Sequence, residues 1–116
     1  MNDELLKILN DAKEKAVEDC GSCAEMGTLL DYMDYENLDI EMVENLEVEE
    51  HRWFTIELNV YKANFTDREE KQNYYFGVYE VGMLKSEMMS LSDTGMDVEF
   101  VPVKKIIKES FEVIDE

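Results

Sequence analysis

Two cysteines separated by two residues are the arrangement in this chain that most resembles a catalytic motif. Cys20 and Cys23 have the spacing of a dithiol redox site. In such sites the first cysteine begins a helix, where the positive end of the helix dipole lowers its pKa. Here a helical pattern precedes Cys20, and the nearby carboxylates oppose formation of the thiolate. A redox function is therefore an alternative, and the two cysteines also fit reduced thiols in the cytoplasm.

Other catalytic and metal-binding patterns are incomplete. A structural zinc site needs four ligands, and His51 is the single histidine available to join the two cysteines. The acidic residues 31–39 lack the glycine and the terminal glutamate of a calcium loop. The five glycines form neither a phosphate-binding loop nor a nucleophile elbow. We therefore expect a protein that is not an enzyme and that needs no cofactor or metal.

Carboxylates are the reactive groups that the chain has in excess. Between Lys15 and Arg52, thirty-six residues contain no lysine or arginine but twelve aspartates and glutamates, and the whole chain has a formal charge of −18. This excess predicts a basic partner and argues against direct binding to nucleic acid or to an anionic membrane. A solvated face that only keeps the protein soluble is the alternative. The expected partner-binding residues are Asp31, Asp34, Glu36, Asp39, Glu41, Glu44, Glu47, Glu49 and Glu50.

Trp53 follows the acidic stretch and is a candidate interface residue. Aromatic residues of the second half are expected to pack within a sheet, because a platform that stacks nucleic-acid bases also needs a positively charged groove. Together with the tyrosines of one sheet face, Trp53 becomes an interface anchor if the helices leave it uncovered.

The spacing of apolar residues predicts three helices in the first half. The first is capped by Asn2 and ends at Gly21, and the second opens with the capping-box pattern of Ser22 and Glu25. The third covers about residues 36–47 and spreads its carboxylates over its remaining surface. The apolar positions that support these helices are Leu5, Leu9, Ala12 and Ala16, then Met26, Leu29, Leu30 and Met33, and then Leu38, Met42 and Leu46.

Alternation with period two predicts strands in the second half. Residues 53–61 and 73–83 are expected to pair as an antiparallel hairpin across a charged connection at residues 65–72. Residues 96–101 form a third strand, and Pro102 suits an edge position or the end of that strand. Residues 104–116 suit a strand or a helix, and we favour the strand. The chain is thus expected to be one α+β domain, residues 1–116. Residues 1–47 would be mainly helical and would pack on a sheet of three or four antiparallel strands within residues 51–103, or extending into the tail.

Two segments resemble known proteins. Residues 51–55, His-Arg-Trp-Phe-Thr, and residues 81–93, from Val81 to Asp93, are similar to segments of small accessory proteins encoded by phages and mobile elements of Gram-positive bacteria. In size, acidity and lack of catalytic parts the chain also resembles anti-CRISPR proteins and related anti-defence inhibitors. This resemblance implies a non-enzymatic inhibitor that binds a host defence protein, such as a CRISPR effector, as a monomer or a homodimer.

Charge geometry suggests how such an inhibitor works. Neighbouring side chains on one face of a helix or a strand are about 5–7 Å apart, which resembles the separation of successive phosphates along a nucleic acid. An acidic face can therefore occupy a basic groove built for nucleic acid. The alternative is a protein that sequesters a small ligand or a signalling nucleotide, which requires Arg52, Lys62 and Lys85 to converge. The chain lacks an apolar run of membrane-spanning length, and its acidic start differs from a signal peptide, so the expected location is the cytoplasm.

Overall fold

A computed structural model describes residues 3–33, 38–65, 73–86, 89–106 and 110–114. Two helices come first and five strands follow. The helices are α1 (Asp3–Cys20) and α2 (Met26–Asp31), and the strands are β1 (Leu38–Glu50), β2 (Phe54–Phe65), β3 (Asn73–Leu84), β4 (Glu99–Ile106) and β5 (Ser110–Val113). The strands are antiparallel and lie in sequence order in the sheet. Helices packed on an antiparallel sheet confirm the α+β class.

The first helix packs through one apolar stripe. Leu5, Leu9, Ala12 and Ala16 are buried at helical spacing, as the sequence predicts. They share a buried cluster with residues of β2 and β3 that include Ala63 and Phe76. We call the side of the sheet that carries this cluster the helix face, and the opposite side the far face. No helix in the described part of the chain has the length and apolar character needed to cross a bilayer.

The second helix begins later than predicted. Glu25 precedes it in an extended conformation and makes no side-chain cap, so the predicted capping box starting at Ser22 is wrong. Backbone bonds to the rest of the fold explain the delay. The Val98 N–H donates to the Cys23 carbonyl at 2.7 Å, and the Val81 N–H donates to the Ala24 carbonyl at 2.8 Å. Residues 23 and 24 are therefore held extended, and α2 can start only after them.

The predicted third helix is wrong, because residues 38–50 form strand β1. This strand pairs with β2 and carries two bulges, one between Met42 and Glu44 and one between Asn45 and Glu47. A bulge adds one residue to a strand, so residues three apart across it return to the same face. Spacings of three residues then occur in a strand as they do in a helix. The predicted division of the chain is wrong for the same reason, since the sheet begins at Leu38 rather than near residue 51.

The remaining strand predictions are largely confirmed. Strands β2 and β3 form the expected hairpin. Of the predicted connection at residues 65–72, Phe65 belongs to β2 and the rest lies outside the described residues. Strand β4 starts at Glu99 rather than Met96, and its pairing with β3 ends at Pro102, where pairing with β5 begins. Proline lacks an N–H and suits such a boundary. Strands β1 to β4 form a four-stranded antiparallel sheet, within the predicted number, and the tail forms β5, which pairs with the second half of β4.

A smaller apolar cluster covers one corner of the far face. Val60, Val103 and Phe111 are buried there, with Leu46 and Tyr75 packed against them. Gly77 makes this packing possible, because a Cβ at that position would lie 2.7 Å from a methyl group of Val101 and 3.0 Å from one of Val103. The absence of a side chain leaves room for the side chains of Val101 and Val103 over β3. The β4–β5 hairpin therefore packs onto the far face, whereas the helices pack onto the other.

Candidate functional site

Five carboxylates of β1 project to one side of the sheet. Their β2 partners occupy every second position, so that Glu41 lies opposite Lys62 and Glu44 opposite Val60. Directly opposed residues of an antiparallel pair point to the same side. Tyr61 and Ala63, which alternate with those partners, belong to the cluster on the helix face. The five carboxylates therefore point to the far face, and we call them the carboxylate row: Asp39, Glu41, Glu44, Glu47 and Glu49.

The two bulges keep this row in line. In a regular strand, residues an odd number apart point to opposite faces, so Glu41 and Glu44 would lie on different sides of the sheet. The register shift at the first bulge returns Glu44 to the far face, and the shift at the second does the same for Glu47. Without the bulges, the helix face would receive part of the negative charge. The sequence carries a signal for this arrangement in its spacing of two, three, three and two residues along the row.

Few basic groups neutralise the row. Lys62 Nζ lies 2.8 Å from a carboxylate oxygen of Glu41, and this bond raises the pKa of the lysine. His51 Nε2 lies 3.3 Å from a carboxylate oxygen of Glu49. Glu44 is half-buried, and its enclosed Oε2 has no hydrogen-bond partner within the described part of the chain. Exposed ion pairs contribute little binding energy in water, so the row remains available to a stronger cationic partner.

The other predicted acidic residues do not join the row. Glu50 belongs to β1 but lies opposite Thr55, which directs it to the helix side, and Lys85 Nζ is 3.3 Å from its carboxylate. Asp31 is exposed at the end of α2, which packs over the helix face. Asp34 and Glu36 lie outside the described residues. The predicted acidic face is thus one row of five residues, with two further carboxylates directed elsewhere.

Trp53 lies at the end of the row. It belongs to the turn between β1 and β2 and is 49% exposed. The guanidinium carbon of Arg52 is 4.7 Å from the centre of its ring. Trp53, Ser86, Met89 and Asp93 line a shallow depression of about 300 Å³. The indole is therefore uncovered, which was the condition for treating Trp53 as an interface anchor.

The two cysteines lie in different surroundings, which count against a reactive dithiol. Cys20 is exposed at the end of α1, and its Sγ is 3.1 Å from the hydroxyl of Tyr32, which also donates to the Asp19 carboxylate. Cys23 is buried, and burial together with the charge of Asp97 raises its pKa to about 11. A raised thiol pKa disfavours the thiolate that redox exchange requires. Both cysteines are free thiols.

A buried carboxylate that sequence reasoning missed fastens α2 to the sheet. Glu80 is 7% exposed, and its Oε1 accepts the Met26 backbone N–H at 2.9 Å. Its Oε2 accepts the Asn59 amide at 3.1 Å and the Tyr61 hydroxyl at 2.5 Å. Burial and the bond to Glu80 raise the pKa of Tyr61 well above its ordinary value. In the sequence, the signal for this residue is a glutamate inside the apolar pattern of β3. Because both of its carboxylate oxygens accept hydrogen bonds, we assign Glu80 a structural role.

The basic residues required by a nucleotide-binding site do not converge. Arg52 stacks on Trp53, and Lys85 binds Glu50 and the His51 carbonyl near the same turn. Lys62 lies far along β2, roughly 25 Å from the start of the strand at the usual rise per residue. This dispersion counts against a cleft for a phosphorylated ligand.

Within the described ranges, no group of three or more histidine, cysteine, aspartate or glutamate residues is placed to hold a metal ion. Comparison of the chain with protein-family models, with curated proteins and with solved structures finds no match.

Proposed function

We propose that this protein is a non-enzymatic binding protein whose carboxylate row occupies a basic, nucleic-acid-binding surface of another protein. The observation that carries this proposal is the alignment of five carboxylates on one face of one strand. Alternate positions of a strand are about 6.5–7 Å apart, a separation similar to that of successive phosphates. The strand also fixes the backbone positions from which the carboxylates project. Part of the entropy cost of lining up these charges therefore falls on folding, and less of it falls on binding.

The class of partner follows from charge and from the exposed indole. A groove lined with lysine and arginine attracts a row of carboxylates over long range and releases its bound anions when the row enters. Trp53 adds an aromatic contact at one end of the row, where rigid aromatic residues often supply much of the binding energy. We propose an anti-defence inhibitor acting in the cytoplasm, with a CRISPR effector or a related nuclease as the type of partner.

The row also has a simpler interpretation. Charged side chains and bulges are common on edge strands, because they prevent the open edge from pairing with other molecules. Protection of this kind works with charge of either sign. Binding to a basic groove requires negative charge. The sign of the charge therefore separates the two roles, and one role does not exclude the other.

The test compares two sets of amide substitutions that remove the same amount of charge. The first replaces four exposed members of the row, Asp39→Asn, Glu41→Gln, Glu47→Gln and Glu49→Gln. The matched set replaces four exposed carboxylates of α1, Asp3→Asn, Asp11→Asn, Glu14→Gln and Glu18→Gln. Each protein is immobilised at low salt to capture partners from cells of the native host. The captured protein is eluted with salt and its DNA and RNA binding is measured with and without the acidic protein.

We expect the unmodified protein and the α1 variant to displace nucleic acid from the captured partner. The concentration needed for displacement should rise by roughly 100-fold or more for the row variant, because several charge contacts are lost. Equal displacement by both variants would show that total charge rather than the row is responsible. Capture of a partner whose nucleic-acid binding is unaffected would contradict the proposed function.

A further inference from the structure

The outer edge of β1 is an open hydrogen-bonding surface. Strand order places β1 at one end of the sheet, and among the described strands it pairs only with β2. The strand is thirteen residues long, and most of its residues are exposed. The edge is regular over residues 38–42 and 47–50, on either side of the two bulges, and these two runs present backbone N–H and C=O groups to which another strand can bind.

The register shows which residues turn these groups outward. The His51 N–H donates to the Phe54 carbonyl at 2.9 Å, which makes this the first hydrogen-bonded pair of the hairpin. Hydrogen-bonded and non-bonded pairs alternate along an antiparallel ladder. Glu50 and Val48 therefore belong to non-bonded pairs, and their backbone N–H and C=O groups point away from β2. The register gives the same result for Met42, beyond the two bulges. The side chains of Met42 and Val48 are 56% and 50% exposed beside these groups.

We propose that the outer edge of β1 accepts an extended, lysine- or arginine-rich segment of the partner protein as an added strand. This inference rests on the proposed function and specifies how the partner is held. Strand addition supplies main-chain hydrogen bonds, while the side chains of the row select the sequence of the added strand.

The chemistry of the added strand follows from the two faces. On the far face its side chains lie about 5 Å from the carboxylate row, so lysine or arginine is favoured at alternate positions. On the helix side its side chains lie next to Met42 and Val48, where apolar residues are favoured. The expected segment therefore alternates basic and apolar residues.

A second copy of this chain fits the edge poorly. Pairing β1 with β1 brings two carboxylate rows side by side, and directly opposed like charges destabilise a strand pair. Each chain also has a formal charge of −18. The edge is therefore complementary to a basic strand and repels its own copy.

The test uses a synthetic peptide of alternating lysine and valine, about the length of β1, and the same peptide with N-methyl groups along one backbone edge. Both peptides have the same charge, but the methylated peptide cannot pair along that edge. On the protein side, Val48→Pro removes an outward N–H and keeps every carboxylate, whereas Val48→Thr keeps the N–H. Affinities are measured by titration, and backbone amide hydrogen exchange is followed with and without peptide.

We expect the methylated peptide to bind the unmodified protein at least tenfold more weakly, and Val48→Pro to weaken binding of the unmethylated peptide similarly. Val48→Thr should bind within about threefold of the unmodified protein, since it keeps the donor. The amides of Met42 and Val48 should exchange more slowly in the complex. The inference about the edge fails if both peptides bind equally and these amides are not protected, even though charge-dependent binding would then persist. If the row variant with four amides binds the unmethylated peptide normally, the proposed function fails instead.

Discussion

Glu80 is the buried residue that fastens α2 to the sheet. Its two carboxylate oxygens accept three hydrogen bonds, from Met26, Asn59 and Tyr61. In Glu80→Gln an N–H₂ group replaces one of those oxygens and faces a donor, so at least one bond is lost inside the protein. We expect the free energy of unfolding to fall by about 2–3 kcal/mol in urea titrations.

The control for this residue is Glu99→Gln, on the exposed surface of β4. Substitutions at exposed positions usually change stability by no more than about 0.5 kcal/mol. Amide exchange near Met26 should accelerate in Glu80→Gln and not in Glu99→Gln. Equal effects of the two substitutions would mean that the buried network does not hold α2.

Cys23 makes stability depend on alkaline pH. Its pKa is about 11 in the folded chain, against an ordinary value of 9.0, because the thiol is buried and lies near Asp97. Between these values the unfolded chain releases the proton first, so stability is complete below about pH 9 and falls as the pH rises toward 11. Tyr61, whose pKa is also raised, adds to the loss above pH 10. We expect a decrease of roughly 2 kcal/mol over this window, and Cys23→Ala should flatten the curve.

Thiol reactivity tests the same burial without a change in sequence. A thiol reagent at neutral pH should modify Cys20 in the folded protein, because Cys20 is exposed, and should modify Cys23 only as the chain unfolds. Rapid modification of both cysteines in the native protein would contradict the burial of Cys23 and return the dithiol hypothesis to consideration.

Among the elements, β1 shows where sequence reasoning succeeds and where it cannot. Its acidity and its position just before Trp53 are evident from the sequence. Its conformation is not, because Glu41, Glu44 and Glu47 at steps of three share one face both in a helix and in a strand with two bulges. The bulges depend on pairing with β2, which local spacing does not record. The helix α1 was predictable because a single stripe from Leu5 to Ala16 is buried, and a strand cannot bury it.

The strand β1 gives a prediction that separates binding from protection of the edge. Asp39→Lys and Glu47→Lys together reverse two charges of the row and leave the edge charged. If protection is the only role of the row, the variant stays soluble and keeps its affinity for its partner. If the row binds a basic groove, the variant stays soluble but loses affinity for its partner by roughly 100-fold, because attraction becomes repulsion. Light scattering and partner titration measure the two properties in one sample.

The reversed charges should also affect folding. Like charges along one side of a strand repel each other, most strongly at low salt. The double lysine variant should therefore unfold at higher urea concentration than the unmodified protein at low salt. A decrease in stability would contradict this expectation and would show that the two carboxylates support the fold.

At the scale of the whole molecule, the formal charge of −18 acts against folding and in favour of binding. The molecule measures 47 × 33 × 24 Å, so most pairs of carboxylates are farther apart than the screening length of about 8–10 Å at physiological salt. Below about 10 mM salt they repel across the entire fold. Salt therefore relieves repulsion within the protein and weakens attraction to a basic partner at the same time.

Added salt should therefore raise stability and weaken partner binding. Raising sodium chloride from about 10 mM to about 200 mM should increase the free energy of unfolding by roughly 1 kcal/mol and weaken partner binding by roughly 10- to 100-fold. Urea titrations and binding titrations in the same salt series measure both effects. The α1 amide variant should show a smaller gain in stability but a similar loss of binding, because it lacks part of the general repulsion and keeps the row. Binding that does not change with salt would mean that contacts other than the carboxylates hold the partner, and the acidic strand would then serve solubility alone.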